Sequence, residues 1–188
     1  TMASAKILFD HFPDIAGSEI SFSSKSGILN VTKNAEDICL NFPADDPKLQ
    51  EMDALFAEAL GESPIEILRG TDDFLAVFET EQQIQTMNPD FTKLAKIDSR
   101  GVVISAPGND VDFVSRCFFP QTGVDEDPVT GSAHTMLIPY WAKQLDKIEF
   151  KAHQLSARGG VLDCKLINDR VLISGKSIIY FEGMISII

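Results

Sequence analysis

The chain has 188 residues, of which 44% are hydrophobic and 23% charged, and a formal net charge of −12. This length suits one medium domain or two small lobes, with a core that needs no disulfide or structural metal. The negative balance excludes nucleic acid and anionic membrane as partners over most of the surface, while a small anion held by backbone donors remains admissible.

Apolar groups at Met2, Ala5, Leu8, Phe9 and Phe12 recur at helical spacing over residues 2–12, and Pro13 to Ser18 breaks the run. Ile20-Ser21-Phe22 alternates as a strand, Lys25-Ser26-Gly27 turns it, and Ile28 to Thr32 returns. Ile38 to Phe42 adds a third strand, ended by Pro43 and completing an antiparallel meander. Ala44-Asp45-Asp46-Pro47 reads as a linker. Residues 1–45 are then the remainder of a first lobe and 46–188 a second, with the last strands free to return toward the first. Residues 48–60 place Leu49, Met52, Leu55, Phe56 and Leu60 on one helical face, with Gly61 behind them. Strands follow at Ile65 to Arg69 and Phe74 to Phe78, then a helix over Pro89 to Ala95 with Asn88 as cap and proline first.

Strands at Gly101 to Ser105 and Asp112 to Phe119 lead into a polar loop, Pro120 to Thr130. A helix over Ser132 to Gln144 carries Met136, Leu137, Tyr140 and Trp141 at burial spacing. Ile148 to Leu155, Val161 to Ile167, Val171 to Ser174 and Ile178 to Ile185 read as strands. The pattern is α+β, antiparallel strands around few helices, with the apolar helix at 132 suited to the centre of a curled sheet. Cys39, Cys117 and Cys164 are odd in number, far apart and outside any CxxC pair, which reads as free thiols in a reducing compartment. With no signal-peptide pattern and no apolar run long enough for a bilayer, the expected location is cytoplasmic.

Chemistry concentrates between Ser115 and His134. A strand delivers three acids, Asp125, Glu126 and Asp127, and then Thr130-Gly131-Ser132 opens a helix. The first turn of a helix has unpaired N–H groups and a positive dipole end, and glycine lets a ligand approach the backbone, so this junction suits a carboxylate or phosphate. Asp127 stands ready to hydrogen-bond an amino or hydroxyl group of the same ligand. The plainer reading is that Thr130 caps the helix and the acids complement its dipole. A second stretch, Gln154 to Gly160, alternates Gln154, Ser156 and Arg158 as if on one strand face. Arg158 suits a carboxylate through its planar fork. His134 reads as a structural histidine, Cys117 lacks an evident activating partner, and no histidine–acid set has metal-ligand spacing, so no metal site is expected.

Together these words resemble the PhzF-like family, the phenazine-biosynthesis group with the diaminopimelate epimerase fold. The matching segments are Ser115-Arg116 with Phe119-Pro120, Asp125 through His134, Pro139-Tyr140-Trp141, Gln154 through Gly160, and Val171 through Gly175, in order over nearly the whole chain. The resemblance implies two lobes, each a curled antiparallel sheet around a central helix, with the active site in the cleft at the amino ends of those helices. It makes the helix near Gly131 the second central helix and residues 2–12 the first. Thr1 then matches the last residue of a Gly-His-Ala-Thr motif, so the first lobe is incomplete and the catalytic glutamate is expected outside this chain. The implied reaction is cofactor-independent movement of a proton between carbons of a small anionic metabolite, with Asp127 in support and Gly131 and Ser132 holding substrate, and from the residues themselves Thr130 and Arg158 join the expected substrate-binding set. A homodimer and a complementary amino-terminal fragment are the implied partners. A non-catalytic binding or scaffold protein of the same fold is the alternative.

Overall fold

The structure, a computed structural model, describes residues 1–24, 27–184 and 186. Its strands are β1 (Glu19–Ser24), β2 (Gly27–Asn34), β3 (Asp37–Pro43), β4 (Lys48–Leu49), β5 (Glu66–Arg69), β6 (Asp73–Val77), β7 (Gly101–Pro107), β8 (Phe113–Phe118), β9 (Glu149–Gln154), β10 (Gly160–Ile167) and β11 (Arg170–Lys176). They form one sheet in the order β1-β2-β3-β11-β10-β9-β8-β7-β6-β5-β4. The helices are α1 (Met2–His11), α2 (Pro13–Ala16), α3 (Ala54–Leu60), α4 (Glu81–Thr86), α5 (Phe91–Leu94) and α6 (Gly131–Leu145).

Helix α6 sets the shape. Ala133, His134, Met136, Leu137, Ile138, Pro139, Tyr140 and Trp141 are all buried, so the helix is covered on every side, as a core helix must be. It touches β3, β11, β10 and β6. In the sheet order β3 and β6 stand six strand positions apart. In a flat sheet that would be about 29 Å, beyond the reach of a helix about 10–12 Å across. The sheet therefore curls around α6, as the α+β, diaminopimelate epimerase-like expectation requires.

Two cores lie on the two faces of the sheet. The inner one joins α6 and α1 to Leu75, Val77, Val103, Phe113 and Cys117. The outer one joins α3, α4 and α5 to Ile67, Ala76, Phe78, Val102, Ile104, Val114 and Phe118. With both faces covered, β6, β7 and β8 read as continuous apolar runs rather than alternating ones.

Most neighbours are antiparallel, but two pairs are parallel: β6 with β7, and β8 with β9. In each, helices make the crossover, α4 and α5 in the first and α6 in the second. The second crossover puts the start of α6 beyond the carboxyl end of β8, where the acidic loop lies.

Several local expectations are corrected. Residues 48–60 are not one helix: Leu49 and Met52 are exposed, β4 takes the first two residues, and Asp53 caps α3 by accepting from Leu55 N–H. Helix α5 is capped by Asp90, which accepts from Lys93 N–H, and not by Asn88. Pro13 to Ala16 adds a helical turn where a break is expected, and Gly17 ends it at φ 55°. Helix α4 was not foreseen, although Thr80 and Gln83 form a capping box. Residues 178–184 form no strand, and Ile178, Tyr180, Phe181 and Met184 are exposed. Ile185 of that expected strand, and Lys25 and Ser26 of the expected turn, lie outside the described residues. No described helix is long and apolar enough to cross a membrane.

Candidate active site

The loop between β8 and α6 is held from both ends. Asp127 N–H donates to Cys117 O at 3.0 Å. Gln154, fully buried on β9, uses both ends of its amide: Oε1 accepts from Thr130 N–H at 2.8 Å, and Nε2 donates to Asp127 O at 2.7 Å and Thr130 Oγ1 at 3.2 Å. Ser156 Oγ donates to Pro128 O at 2.7 Å. A buried glutamine satisfied in this way fixes the loop more firmly than exposed loop backbone would be.

The three adjacent acids separate into three situations. Asp125 is exposed. Glu126 is bound fork-to-fork by Arg116, with Nε–Oε1 at 2.7 Å and Nη2–Oε2 at 3.0 Å, while Arg116 Nη1 donates to Met87 O at 2.7 Å and Ile84 O at 3.1 Å. That pair pins the loop to the end of α4. Asp127 accepts from Thr130 Oγ1 at 2.5 Å.

This contact decides the question of the cap. Thr130 occupies the N-cap position but makes no side-chain cap bond, since its hydroxyl is committed to Asp127. The first-turn N–H groups of α6 thus keep their donors free of a capping oxygen. Gly131 and Ser132 line a cleft of about 1640 Å³, together with Thr1, Met2 and Ala3 at the start of α1. The amino ends of α1 and α6 face one space, and so the positive ends of two helix dipoles do too. Asp127 and Thr130, both expected at the site, do not line the cleft.

Arg158 lines the same cleft. It is not on a strand face with Gln154, because β9 ends at Gln154 and residues 156–158 form a bend. Gly159 closes that bend at φ 70°, a conformation suited to glycine, and its N–H donates to Ser156 Oγ at 3.0 Å. Among the described residues Arg158 makes no hydrogen bond or ion pair, so its guanidinium is free to meet an anion.

His134 is fully buried. Its Nδ1 lies 2.8 Å from Thr130 O, which makes Nδ1 the protonated nitrogen, and burial pushes its pKa down to about 4. It is a structural neutral imidazole. Cys117 is equally buried, and desolvation raises its thiol pKa well above the usual range, so it is no nucleophile.

One cleft residue was missed altogether. Arg100 donates from Nε to Asp73 Oδ1 at 2.9 Å, from Nη2 to Asp73 Oδ2, and from Nη2 to Ser132 Oγ at 3.3 Å. The parallel register of β6 and β7, with Asp73 opposite Gly101, brings the pair together. Nothing in the local sequence announces that register.

A curled sheet around a buried helix, with the open end of that helix facing a cleft, defines an epimerase-like fold. The family described as phenazine biosynthesis-like protein, PhzC-PhzF, matches residues 1–183, and the chain belongs to it. A protein of Pseudomonas aeruginosa named an uncharacterized isomerase is 44% identical over 185 residues, which is 98% of this chain and 70% of the relative. The crystal structure of a PhzF family protein of Enterococcus faecalis superposes with a TM-score of 0.87 at 40% identity, over 93% of this chain and 67% of that one. A predicted epimerase of Pseudomonas aeruginosa shares the fold at a TM-score of 0.63 and 18% identity, over 93% of this chain and 69% of its own.

Proposed function

We propose that the protein is an isomerase of the PhzF type that moves a proton between carbons of a small carboxylic acid, without a cofactor. The carboxylate sits at the start of α6, on the N–H groups of the first turn and the Ser132 hydroxyl, with Arg158 as counter-charge. Thr130 and Asp127 shape this end from behind, and Asp127 supports proton transfer through its hydrogen bond with Thr130 rather than by touching the substrate. The observation that carries the reading is the uncapped amino end of α6, open on a cleft that also holds an unpaired arginine. Isomerase relatives make proton transfer the chemistry to look for.

A binding protein of the same fold without turnover is the second reading. It rests on the open end of α6 and the free Arg158, which suffice to hold an anion without a proton carrier. Incubation of the chain extended to the full length of its relatives, of which it spans about 70%, with a panel of small acids bearing an acidic C–H bond in D2O, followed by NMR, separates the two. Deuterium uptake that falls in Asp127→Asn and Ser132→Ala supports the isomerase. Ligand-induced stabilisation without uptake for any acid supports the binding protein.

A further inference from the structure

Arg100 is fixed from behind. Its partner Asp73 has a side chain only 5% exposed, and separating a largely buried carboxylate from its guanidinium leaves an uncompensated charge, which is strongly destabilising. The hydrogen bond to Asp73, the largest influence on Arg100, raises its pKa further. The remaining nitrogen, Nη1, lies 3.9 Å from Asp72 Oδ2, a looser contact. The guanidinium therefore has one set direction, and its edge reaches Ser132.

The chemistry of that contact has a definite polarity. A guanidinium carries donors only, so Ser132 Oγ must accept from Nη2. A hydroxyl has a single proton to give. Among the described residues the Ser132 hydroxyl makes no other hydrogen bond, so its proton remains uncommitted. Ser132 stands in the first turn of α6 and lines the cleft. Its backbone carbonyl is already used, accepting from Thr135 Oγ1 at 2.7 Å.

The geometry points to Arg100 as a positioning residue: held by Asp73, it occupies the acceptor side of the Ser132 hydroxyl and so fixes that hydroxyl as a donor to a ligand carboxylate. The inference rests on the reading of the α6 end as an anion site. It adds that the site's hydroxyl is oriented by a guanidinium from the β6–β7 edge. It also separates two roles for arginine on one cleft, with Arg158 free to meet the ligand and Arg100 acting through Ser132.

Succinate is the probe, and its binding is followed by the amide NMR shifts of Ser132 and Ala133 in the wild type, Ser132→Ala, Arg100→Lys and the double variant. Arg100→Lys keeps the charge but loses the planar fork. We expect Ser132→Ala and Arg100→Lys each to weaken succinate roughly tenfold, the loss of one charge-assisted hydrogen bond. The double variant should be within about twofold of Ser132→Ala, because two changes on one contact are not additive. If Arg100→Lys binds as well as wild type, or weakens binding by its full factor on top of Ser132→Ala, the positioning role is overturned while the anion site stands. If succinate leaves the wild-type Ser132 and Ala133 amides unmoved at its highest soluble concentration, both readings fall. Should Arg100→Lys not fold, Asp73→Asn frees Arg100 instead and is held to the same outcomes.

Discussion

The backbone N–H of Asp45 donates to the carbonyl of Thr135 at 3.0 Å, at the heart of α6. In a regular helix that carbonyl accepts from residue 139, four positions on. Residue 139 is proline and has no N–H to give. The segment leaving β3 supplies the donor in its place. The Asp45 carboxylate then accepts from the N–H and the hydroxyl of Thr71, both at 2.9 Å. One residue thereby ties the central helix to the turn between β5 and β6.

Replacing Asp45 by alanine keeps the bond to Thr135, which is made by backbone, and removes both bonds to Thr71. Charge-assisted bonds of this kind at a partly buried site are worth about 1–3 kcal/mol together. The expected outcome is a lower midpoint of urea unfolding with an unchanged slope. A midpoint equal to wild type would mean that Thr71 is equally well served by water.

Gly131→Ala separates fold from site. An added Cβ would lie 3.7 Å from Leu40 Cδ1 and 3.9 Å from Phe42 Cε2, ordinary contacts. Alanine is the better helix former by about 1 kcal/mol in a helix interior, so stability should hold or rise slightly. The same methyl stands where a ligand must approach the first-turn N–H groups, and succinate affinity should fall at least about tenfold by steric exclusion. Thermal unfolding and NMR titration of one sample read both effects. Unchanged affinity would move the anion site away from α6.

The legibility of the sequence follows the same division between local and long-range causes. The loop and helix from Asp125 to Trp141 could be read because their signals are local: clustered acids, a Thr-Gly-Ser opening and an apolar run. Residues 48–60 deceived because Leu49 and Met52 fall on a helical spacing, although Asp53 caps a shorter helix. The apolar alternation after Ile178 looks like a strand, but the described part of it has no strand to pair with. Arg100 was invisible for a different reason. Its importance depends on the parallel register of β6 and β7, and register is a property of two strands rather than of either one.

Gly160 tests how the Arg158 bend is seated. A Cβ there would lie 2.4 Å from Val129 Cγ2, nearer than any real contact allows. Gly160→Ala should destabilise by about 1–3 kcal/mol through overpacking. Val129→Ala removes the obstructing methyl groups, so the double variant should recover much of the loss, a coupling expected of residues in contact. Additive losses would show that the strain is relieved elsewhere, by displacement of the bend, and Arg158 would then lose its place on the cleft.

His134 gives the fold a pH dependence whose sign can be worked out. Burial holds its pKa at about 4 in the folded chain, against 6.5 for the free side chain, and the bond to Thr130 O opposes that shift without cancelling it. Nδ1 carries the proton, and Nε2 is buried with no partner among the described residues, so a second proton would be a buried charge. Between those two values the unfolded chain binds a proton that the folded chain refuses. Stability from this group is therefore complete above pH 6.5 and falls as the pH drops toward 4, by about 3 kcal/mol in all. Carboxylates titrate in the lower part of the same window, so the comparison must be with a variant. His134→Gln retains a donor for Thr130 O and does not titrate. Urea unfolding at about pH 7, 6 and 5 should show a steeper loss for the wild type than for the variant. Parallel curves would mean that water or a local opening reaches Nε2, and that the inner core beneath α6 is less closed than its packing implies.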